Sequence, residues 1–493
     1  MNIKEAKNYI KDTVSAYLKK DEFGDYRISV EKQRPIFLIG APGIGKTAIM
    51  SQIANELDIA LVSYSMTHHT RQSALGLPYI SKKNYDGKEY SVSEYTMSEI
   101  IASVYDTMEE TGIKEGILFL DEINCVSETL YPSMLQFLQY KVFGKHTVPA
   151  GGVIVTAGNP PEYNRAVREF DVVTLDRLKV LKVEADYPAW AAYAAQNAVH
   201  GAVIGFLEGD NESFYKVETT AYGKNYVTAR GWEDLSDMIK VYEEDGKQVT
   251  DDLIGQYITY EKTAKEFGAY YELYKKYRKQ YDVEAVFAGK LSEETVAAAS
   301  SAPVDERLAL TGLLADSIEN EMRNVLADHH MLQHMRAQVS ELINVPKDEV
   351  QGKIDSFIEA SKTVIAKRSR AGSLSAKGKT EQKMIIRFYT DAKDRIDKGA
   401  NVKEVYNESV IALKKDADRL LNRIDNLFEG MTKLFDEGSN EMLILVTRLT
   451  LDSDAAEFLT TFKSGSYEKY SSVLKVEDRA ESLRKEIMAL EEL

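Results

Sequence analysis

Residues 35–57, PIFLIGAPGIGKTAIMSQIANEL, place an apolar run, a glycine-rich loop and a helix-forming stretch directly after one another. The run PIFLI predicts a strand buried on both faces, which is typical of a parallel sheet. The loop matches GxxxxGK[ST] in the strand–loop–helix setting that this pattern requires. Its residues are Gly40, Ala41, Pro42, Gly43, Ile44, Gly45, Lys46 and Thr47. The stretch therefore predicts the phosphate-binding loop of an α/β P-loop fold.

Each part of this loop has a role toward a nucleoside triphosphate. Glycines let backbone N–H groups approach the phosphates, and the following helix directs its positive end at them. Lys46 is expected to reach the β- and γ-phosphate oxygens, and the Thr47 hydroxyl is expected to bind Mg²⁺. A glycine turn with an incidental lysine is the alternative interpretation, and it does not explain the strand and helix on either side.

A second acidic motif follows the apolar run GILFL at residues 116–120. Asp121 and Glu122 come directly after it, at the carboxyl end of a predicted buried strand, where α/β sheets bind ligands. We expect Asp121 to bind Mg²⁺ through water and Glu122 to act as general base toward the attacking water. The alternative is a polar loop that simply begins with two carboxylates. Cys125 has no histidine near it in sequence, and we assign it no chemistry.

The pattern along the chain predicts three regions. Residues 1–186 alternate short β-branched runs with helical stretches, which predicts a parallel sheet with helices on both faces. An amphipathic helix opens this region. Residues 187–247 predict a small all-α lid, and residues 248–493 predict a large all-α C-terminal extension. Within the extension, residues 367–383 are basic and rich in small residues, and we expect an exposed linker there.

Composition narrows the range of partners. With 62 basic and 78 acidic residues the net charge is −16, so nucleic acid is not an expected partner. The basic residues 367–383 are the one place where an anion site remains open. A single cysteine excludes an intramolecular disulfide, and we expect a cytoplasmic protein. Neither a signal peptide nor a membrane span is predicted.

With the loop and the Asp121-Glu122 pair in place, residues 1–245 resemble the AAA+ ATPases, and two further segments resemble the MoxR branch. LGLPYISKKNYDGKEYSVSEY reads as a β-hairpin around Asp86-Gly87, at the position of the family's helix-2 insert. A second hairpin is expected around Phe143-Gly144-Lys145, similar to the pre-sensor hairpin of that branch. The resemblance implies ATP with Mg²⁺ as the cofactor.

The resemblance also implies roles for polar residues outside the two motifs. Asn159 corresponds to the sensor-1 asparagine, which bonds the attacking water or the γ-phosphate. Arg177, in Leu-Asp-Arg, is the first candidate for the arginine finger that reaches a neighbouring subunit, with Arg165 and Arg168 left as competitors. Arg230 opens the sensor-2 helix and would contact the γ-phosphate in the same chain.

On this resemblance, the chain hydrolyses ATP in a hexameric ring and remodels or matures a protein client, as a chaperone does. The family's usual partner is a protein with a von Willebrand factor A domain. An ATP-gated switch with negligible turnover is the alternative from another class. A nucleic-acid motor is a third interpretation, which the acidic composition disfavours.

Two histidine pairs complete the candidates. His330 and His334 are spaced i and i+4, so on a helix they share one face and are able to ligate a metal, but no third ligand is evident and the pattern favours an ordinary polar face. His68 and His69 lie near the start of the predicted insert, where substrate contact and a solvated loop are both open.

Overall fold

The computed structural model describes residues 1–68, 72, 74, 76–164, 167–220, 223–346 and 349–472. The chain divides into two compact units. The first comprises Met1–Asp186 and Ile354–Tyr389, and the second comprises Tyr187–Lys353 and the chain from Thr390 onward. Residues 354–389, which the sequence assigns to the C-terminal extension, thus belong to the unit that contains the sheet.

A five-stranded parallel sheet forms the centre of the first unit, in the order β2-β5-β8-β1-β9. The unit's strands are β1 (Ile36–Gly40), β2 (Ala60–Ser65), β3 (Pro78–Tyr85), β4 (Lys88–Tyr95), β5 (Gly116–Asp121), β6 (Val142–Phe143), β7 (His146–Thr147), β8 (Gly152–Gly158) and β9 (Lys179–Val183). Strand β8 lies in the middle and is buried at every position, as its apolar sequence predicts. Strands β3–β4 and β6–β7 form separate antiparallel hairpins.

Helices flank this sheet, which confirms the predicted fold class. They are α1 (Ile3–Leu18), α2 (Ala48–Leu57), α3 (Glu99–Thr111), α4 (Tyr131–Tyr140) and α5 (Val172–Asp176). The expected amphipathic helix at the start is α1, which buries Ile10 and Val14 completely. Its polar side pairs with α2, because Lys7 lies 2.6 Å from Glu56.

The second unit is mainly helical and has its own apolar core. Its first elements are α6 (Tyr187–Gln196), α7 (Gly201–Gly209), β10 (Lys216–Thr220), β11 (Gly223–Val227), α8 (Ala229–Glu244), α9 (Asp251–Tyr257), α10 (Glu261–Gln280), α11 (Val283–Phe287), α12 (Glu293–Ser300) and α13 (Val304–Ile343). After α14 (Val350–Arg370) and α15 (Ala376–Asp397), it continues with α16 (Val402–Phe435), α17 (Asn440–Leu451) and α18 (Ser453–Phe462). The large helical C-terminal region is therefore as predicted.

The lid segment, residues 187–247, was expected to be all helical, but it also contains two strands. Strands β10 and β11 pair in antiparallel register within it, from Lys216 opposite Val227 to Thr220 opposite Gly223. The sequence KVETT alternates β-branched and charged residues, which favours a strand over a helix. The lid as a domain of its own stays a prediction.

The prediction of an exposed basic linker at residues 367–383 is wrong for most of that range, because the range is mainly helical. Helix α14 continues to Arg370 and α15 begins at Ala376, so five residues remain between them. Lysine, arginine and alanine are good helix formers, and cations at a helix C-terminus are stabilised by its dipole. Ala371 and Ser373, in the remaining turn, are buried.

That turn is held against the edge of the sheet. The Leu61 N–H of β2 donates to the Ala371 carbonyl at 2.7 Å. Arg368 lies 2.9 Å from Asp58, and the Arg370 guanidinium donates to Glu110 at 2.7 Å. The basic side chains are thus partly neutralised by carboxylates of the same unit, which explains their presence without an external polyanion.

Candidate functional site

The carboxyl ends of the central strands meet at one edge of the sheet. Strand β1 runs into the glycine-rich loop, and its Ile39 lies opposite Gly158 at the end of β8. Strand β5 pairs with β8 on the other side and ends at Asp121. The two sequence motifs and the segment that carries Asn159 are therefore neighbours, as a parallel sheet requires of strands in this order.

The loop backbone adopts conformations that depend on glycine. Gly43 and Gly45 have φ of 73° and 92°, in the left-handed region that other residues enter at a cost. At Gly40 a Cβ would lie 2.5 Å from the Val183 carbonyl oxygen, so β9 packs against bare backbone there. Helix α2 begins directly after Thr47. These features fit a triphosphate, because N–H groups and a helix N-terminus converge on the loop.

Lys46 is 8% exposed, and its ammonium group is surrounded by oxygen acceptors. Its Nζ donates to the carbonyls of Gly40 and Ala41 at 2.8 and 2.7 Å, and to Asn159 Oδ1 at 2.9 Å. A buried ammonium needs such partners, since water is largely excluded. The structure thus brings together Lys46 and the asparagine that the resemblance assigns to sensor 1.

Thr47 and Asp121 form the second contact between the motifs. The Thr47 hydroxyl donates to Asp121 Oδ2 at 2.9 Å, while Asp121 Oδ1 accepts the Glu122 N–H at the same distance. A hydroxyl and a carboxylate side by side are oxygen ligands of the kind that Mg²⁺ binds, directly or through water. The donor set therefore fits the expected cation.

Glu122 is held in an unusual conformation. Its φ is 56°, a left-handed value that is uncommon outside glycine and found at functional sites. Its Oε2 accepts a hydrogen bond of 3.0 Å from the hydroxyl of Ser65, the last residue of β2. Sequence reasoning missed Ser65. The signal was available, because Ser65 is polar and ends the strand that pairs in register with Asp121.

Cys125 follows on the short turn Ile123–Cys125. Burial raises the pKa of its thiol, and the charges of Glu122 and Asp121 raise it further. A thiol held neutral is a poor nucleophile. These surroundings agree with the absence of an assigned role for Cys125.

The arginine candidates occupy different surroundings. Arg177 is exposed and follows α5 directly, whereas Arg168 forms an ion pair with Glu128. Arg165 lies outside the described residues. Arg230 is exposed on the first turn of α8, in the second unit, where Thr228 caps the helix by accepting the Gly231 N–H at 3.2 Å. The roles of these arginines stay predictions.

Both expected hairpins are confirmed, and they contact each other. In the β3–β4 turn, Asp86 and Gly87 have φ of 51° and 80°, which fits a type I′ turn. Lys145, in the β6–β7 turn, lies 2.5 Å from Glu94 of β4. Hydrogen bonds from Lys145, and then from Lys83 and Tyr79, lower the pKa of Glu94 to about 2.

The histidine candidates acquire no metal site. His330 bonds Glu457 at 2.5 Å, and no cluster of three or more ligating side chains occurs within the described ranges. His68 ends a short 3-10 turn, and His69 is not among the residues described. Among all the residues that the structure describes, no helix is both long and apolar enough to cross a membrane.

Comparison with known proteins identifies one family. Residues 36–174 match the family described as ATPase family associated with various cellular activities (AAA). The matched residues contain the glycine-rich loop, Asp121, Glu122 and Asn159. Together with the parallel α/β sheet, the match supports an ATPase of the AAA+ type. No curated protein matches the chain.

Proposed function

We propose that this chain is a MoxR-like AAA+ ATPase that hydrolyses ATP with Mg²⁺ and uses the cycle to remodel a protein client. The observation that carries the proposal is the convergence of two contacts, Thr47 with Asp121 and Lys46 with Asn159, at the edge of the sheet where Glu122 follows Asp121. A binding protein has no need of this combination, which contains a base as well as a phosphate site.

Each residue has a defined task in this proposal. Lys46 exchanges its carbonyl and amide partners for phosphate oxygens when nucleotide binds. Thr47 and Asp121 hold Mg²⁺, which neutralises charge on the phosphates. Glu122 accepts a proton from the attacking water, and the Asn159 side chain orients that water or the γ-phosphate. The Ser65 hydroxyl, which donates to Glu122 Oε2, restrains the position of that carboxylate.

We further propose that the active form is a ring, hexameric by family analogy, in which Arg177 reaches a neighbour's nucleotide. Val172 and Val173, on the helix that precedes Arg177, are 81% and 59% exposed. Exposed apolar side chains beside a candidate finger support a subunit interface there. An arginine finger contributes about 10³–10⁵ in rate in related phosphoryl-transfer enzymes, so an isolated subunit is expected to be almost inactive.

The client contact is assigned to the paired hairpins, because β3–β4 exposes large side chains. Ile80 is 78% exposed and Tyr85 is 53% exposed. The ion pair between Lys145 and Glu94 joins the two hairpins into one surface. A partner with a von Willebrand factor A domain, a role in maturation and a cytoplasmic setting belong to this proposal through the MoxR resemblance.

Phosphate release at increasing protein concentration tests the proposal. We expect the rate per subunit to rise with concentration for the wild type and for Cys125→Ala, a control on the same turn. Glu122→Gln is expected to bind ATP and remain slow at every concentration. If the wild type is as slow as Glu122→Gln throughout, ATP acts only as a switch and the remodelling proposal is wrong.

Affinity capture with Glu122→Gln in the ATP-bound state tests the client. We expect recovery of a protein with a von Willebrand factor A domain from a native extract, and its loss when Lys46→Ala prevents nucleotide binding. Equal recovery with both variants would contradict ATP-dependent binding. Stimulation of phosphate release by DNA or RNA would instead favour the nucleic-acid motor.

A further inference from the structure

Asn124 connects the two sides of the site. It lies on the short turn after Glu122 and is 3% exposed. Its side-chain Nδ2 donates to the backbone carbonyl of Asn159 at 2.8 Å, and the backbone carbonyl of Asn124 accepts the backbone N–H of Arg168 at 2.9 Å. The turn that carries the expected base is thereby tied to the segment that carries the expected sensor.

This connection lies where the sheet itself no longer fixes the two segments. The register between β5 and β8 ends with Leu120 opposite Thr156. Glu122 and Asn159 both lie beyond that pair, so the ladder does not determine the distance between them. The hydrogen bond from the buried Asn124 side chain restrains that distance, because breaking it leaves a buried N–H group without water.

Gly158 shows how closely the Asn124 carboxamide is packed. A Cβ at Gly158 would lie 2.4 Å from Asn124 Oδ1, 2.7 Å from Cγ and 2.9 Å from Nδ2. Any side chain at position 158 would therefore displace the carboxamide or the strand end. Asn124 Oδ1 is also buried without a hydrogen-bond partner in this structure, which is an unfavourable arrangement for a side chain that served packing alone.

We propose that Asn124 is a positioning residue for ATP hydrolysis, which sets the distance between Glu122 and Asn159 and does not itself contact nucleotide. The inference rests on the proposed function, since it presumes that these two groups act on one water. Until nucleotide binds, Asn159 has a second restraint, because its side-chain Oδ1 accepts from Lys46 while its backbone carbonyl accepts from Asn124.

The first test separates positioning from binding. Misplacement of a catalytic group by about 1 Å costs about 100-fold in rate, and we expect Asn124→Ala to lower kcat by about 10–100-fold. The Kd for Mg·ATP, measured with each substitution in a Glu122→Gln background, is expected to change less than about 3-fold. Asn124→Asp keeps the shape but cannot donate when ionised, and it should lose activity in the same way. Unchanged kcat in Asn124→Ala, or an equal loss of affinity, would overturn the inference.

A double-mutant cycle tests the contact itself. Gly158→Ala alone should lower kcat, because its methyl group collides with the Asn124 carboxamide. In the Asn124→Ala background that space is vacated, so adding Gly158→Ala should have little further effect. Independent, multiplicative losses in the cycle would show that the two positions do not act through this contact. Cys125→Ala, on the same turn, is the control and should retain wild-type kcat.

A third measurement does not depend on turnover. Amide hydrogen exchange in the peptide that contains Gly158 and Asn159 should be faster in Asn124→Ala than in the wild type and unchanged in Cys125→Ala. If the wild type proves inactive while exchange still differs in this way, the restraint of the Asn159 segment by Asn124 stands, and it is the proposed hydrolysis that fails. Equal exchange in all three proteins would overturn the inference even in an active enzyme.

Discussion

Substitution of Gly372 should release the edge strand of the sheet. Gly372 lies in the turn between α14 and α15, with φ of 63°, and a Cβ there would lie 2.9 Å from the Leu61 carbonyl oxygen and 3.3 Å from Leu61 Cβ. Gly372→Ala therefore forces either the turn or β2 to move. The adjacent hydrogen bond from Leu61 N–H to Ala371, 2.7 Å long, is the first contact to weaken.

The magnitude has two parts. A left-handed conformation costs a residue with a Cβ roughly 1–2 kcal/mol. Loss of the Leu61–Ala371 hydrogen bond adds about 0.5–1.5 kcal/mol. Gly112→Ala is the matched control, because Gly112 has φ of 75° in the same unit and nothing within 4 Å of its Cβ position. The control carries the conformational cost alone, so the two variants should differ by about 1 kcal/mol.

Hydrogen exchange of a peptide that covers β2 is the assay. A difference of 1 kcal/mol in local opening corresponds to about a fivefold faster exchange. We expect this acceleration in Gly372→Ala and not in Gly112→Ala. Equal exchange of β2 in both variants would refute the reasoning, because the turn would then contribute nothing to the strand.

Three further predictions concern individual side chains. Thr47→Val removes the hydroxyl beside Asp121 and should raise the Mg²⁺ concentration needed for half-maximal phosphate release by about 10–100-fold, whereas Thr47→Ser should not. Burial lowers the pKa of Lys141 from 10.5 to about 8. Between about pH 8 and 10.5 this lysine therefore holds its proton more fully in the unfolded chain than in the folded one. The free energy of unfolding, measured with urea, should rise with pH across that window, and it should rise less in Lys141→Met. The pKa of Glu94 is lowered from 4.5 to about 2, so its stabilisation of the hairpins is complete above about pH 4.5 and declines as the pH falls toward 2. Protection of the amides in the β6–β7 turn against hydrogen exchange should follow this decline in the wild type. In Glu94→Gln the protection should be low and should not change with pH.

Local chemistry explains what the sequence predicted well. The glycine-rich loop, the acidic pair after β5 and the Asp86-Gly87 turn are each specified by residues next to one another. The alternation of apolar runs with helical stretches was enough to predict a parallel sheet, because strands buried on both faces carry no polar side. In these places the pattern and the structure depend on the same short-range constraints.

What the sequence left out depends on strand order. The contact between Ser65 and Glu122 exists because β2 neighbours β5, and the contact between Asn124 and Asn159 exists because β5 neighbours β8. The residues of a single segment do not show which strands lie next to one another in the sheet.

A similar limit applies to residues 441–451, whose apolar run predicts a buried helix. The run also contains Arg448, which is 7% exposed. Its Nε donates to Glu319 at 3.0 Å, in α13. A buried arginine of this kind is acceptable only beside a carboxylate from a distant segment, and the local pattern does not reveal that partner.

The seating of the α14–α15 turn on β2 also sets an order of events during synthesis. Leu61 and Ala371 are 310 positions apart in the chain. At about 5–20 residues per second, a ribosome needs roughly 15–60 s to make the second after the first. During that time β2 presents an open strand edge, which is a template for unwanted pairing with other chains. The chain's own turn therefore covers this edge of β2 only after residue 371 has been made.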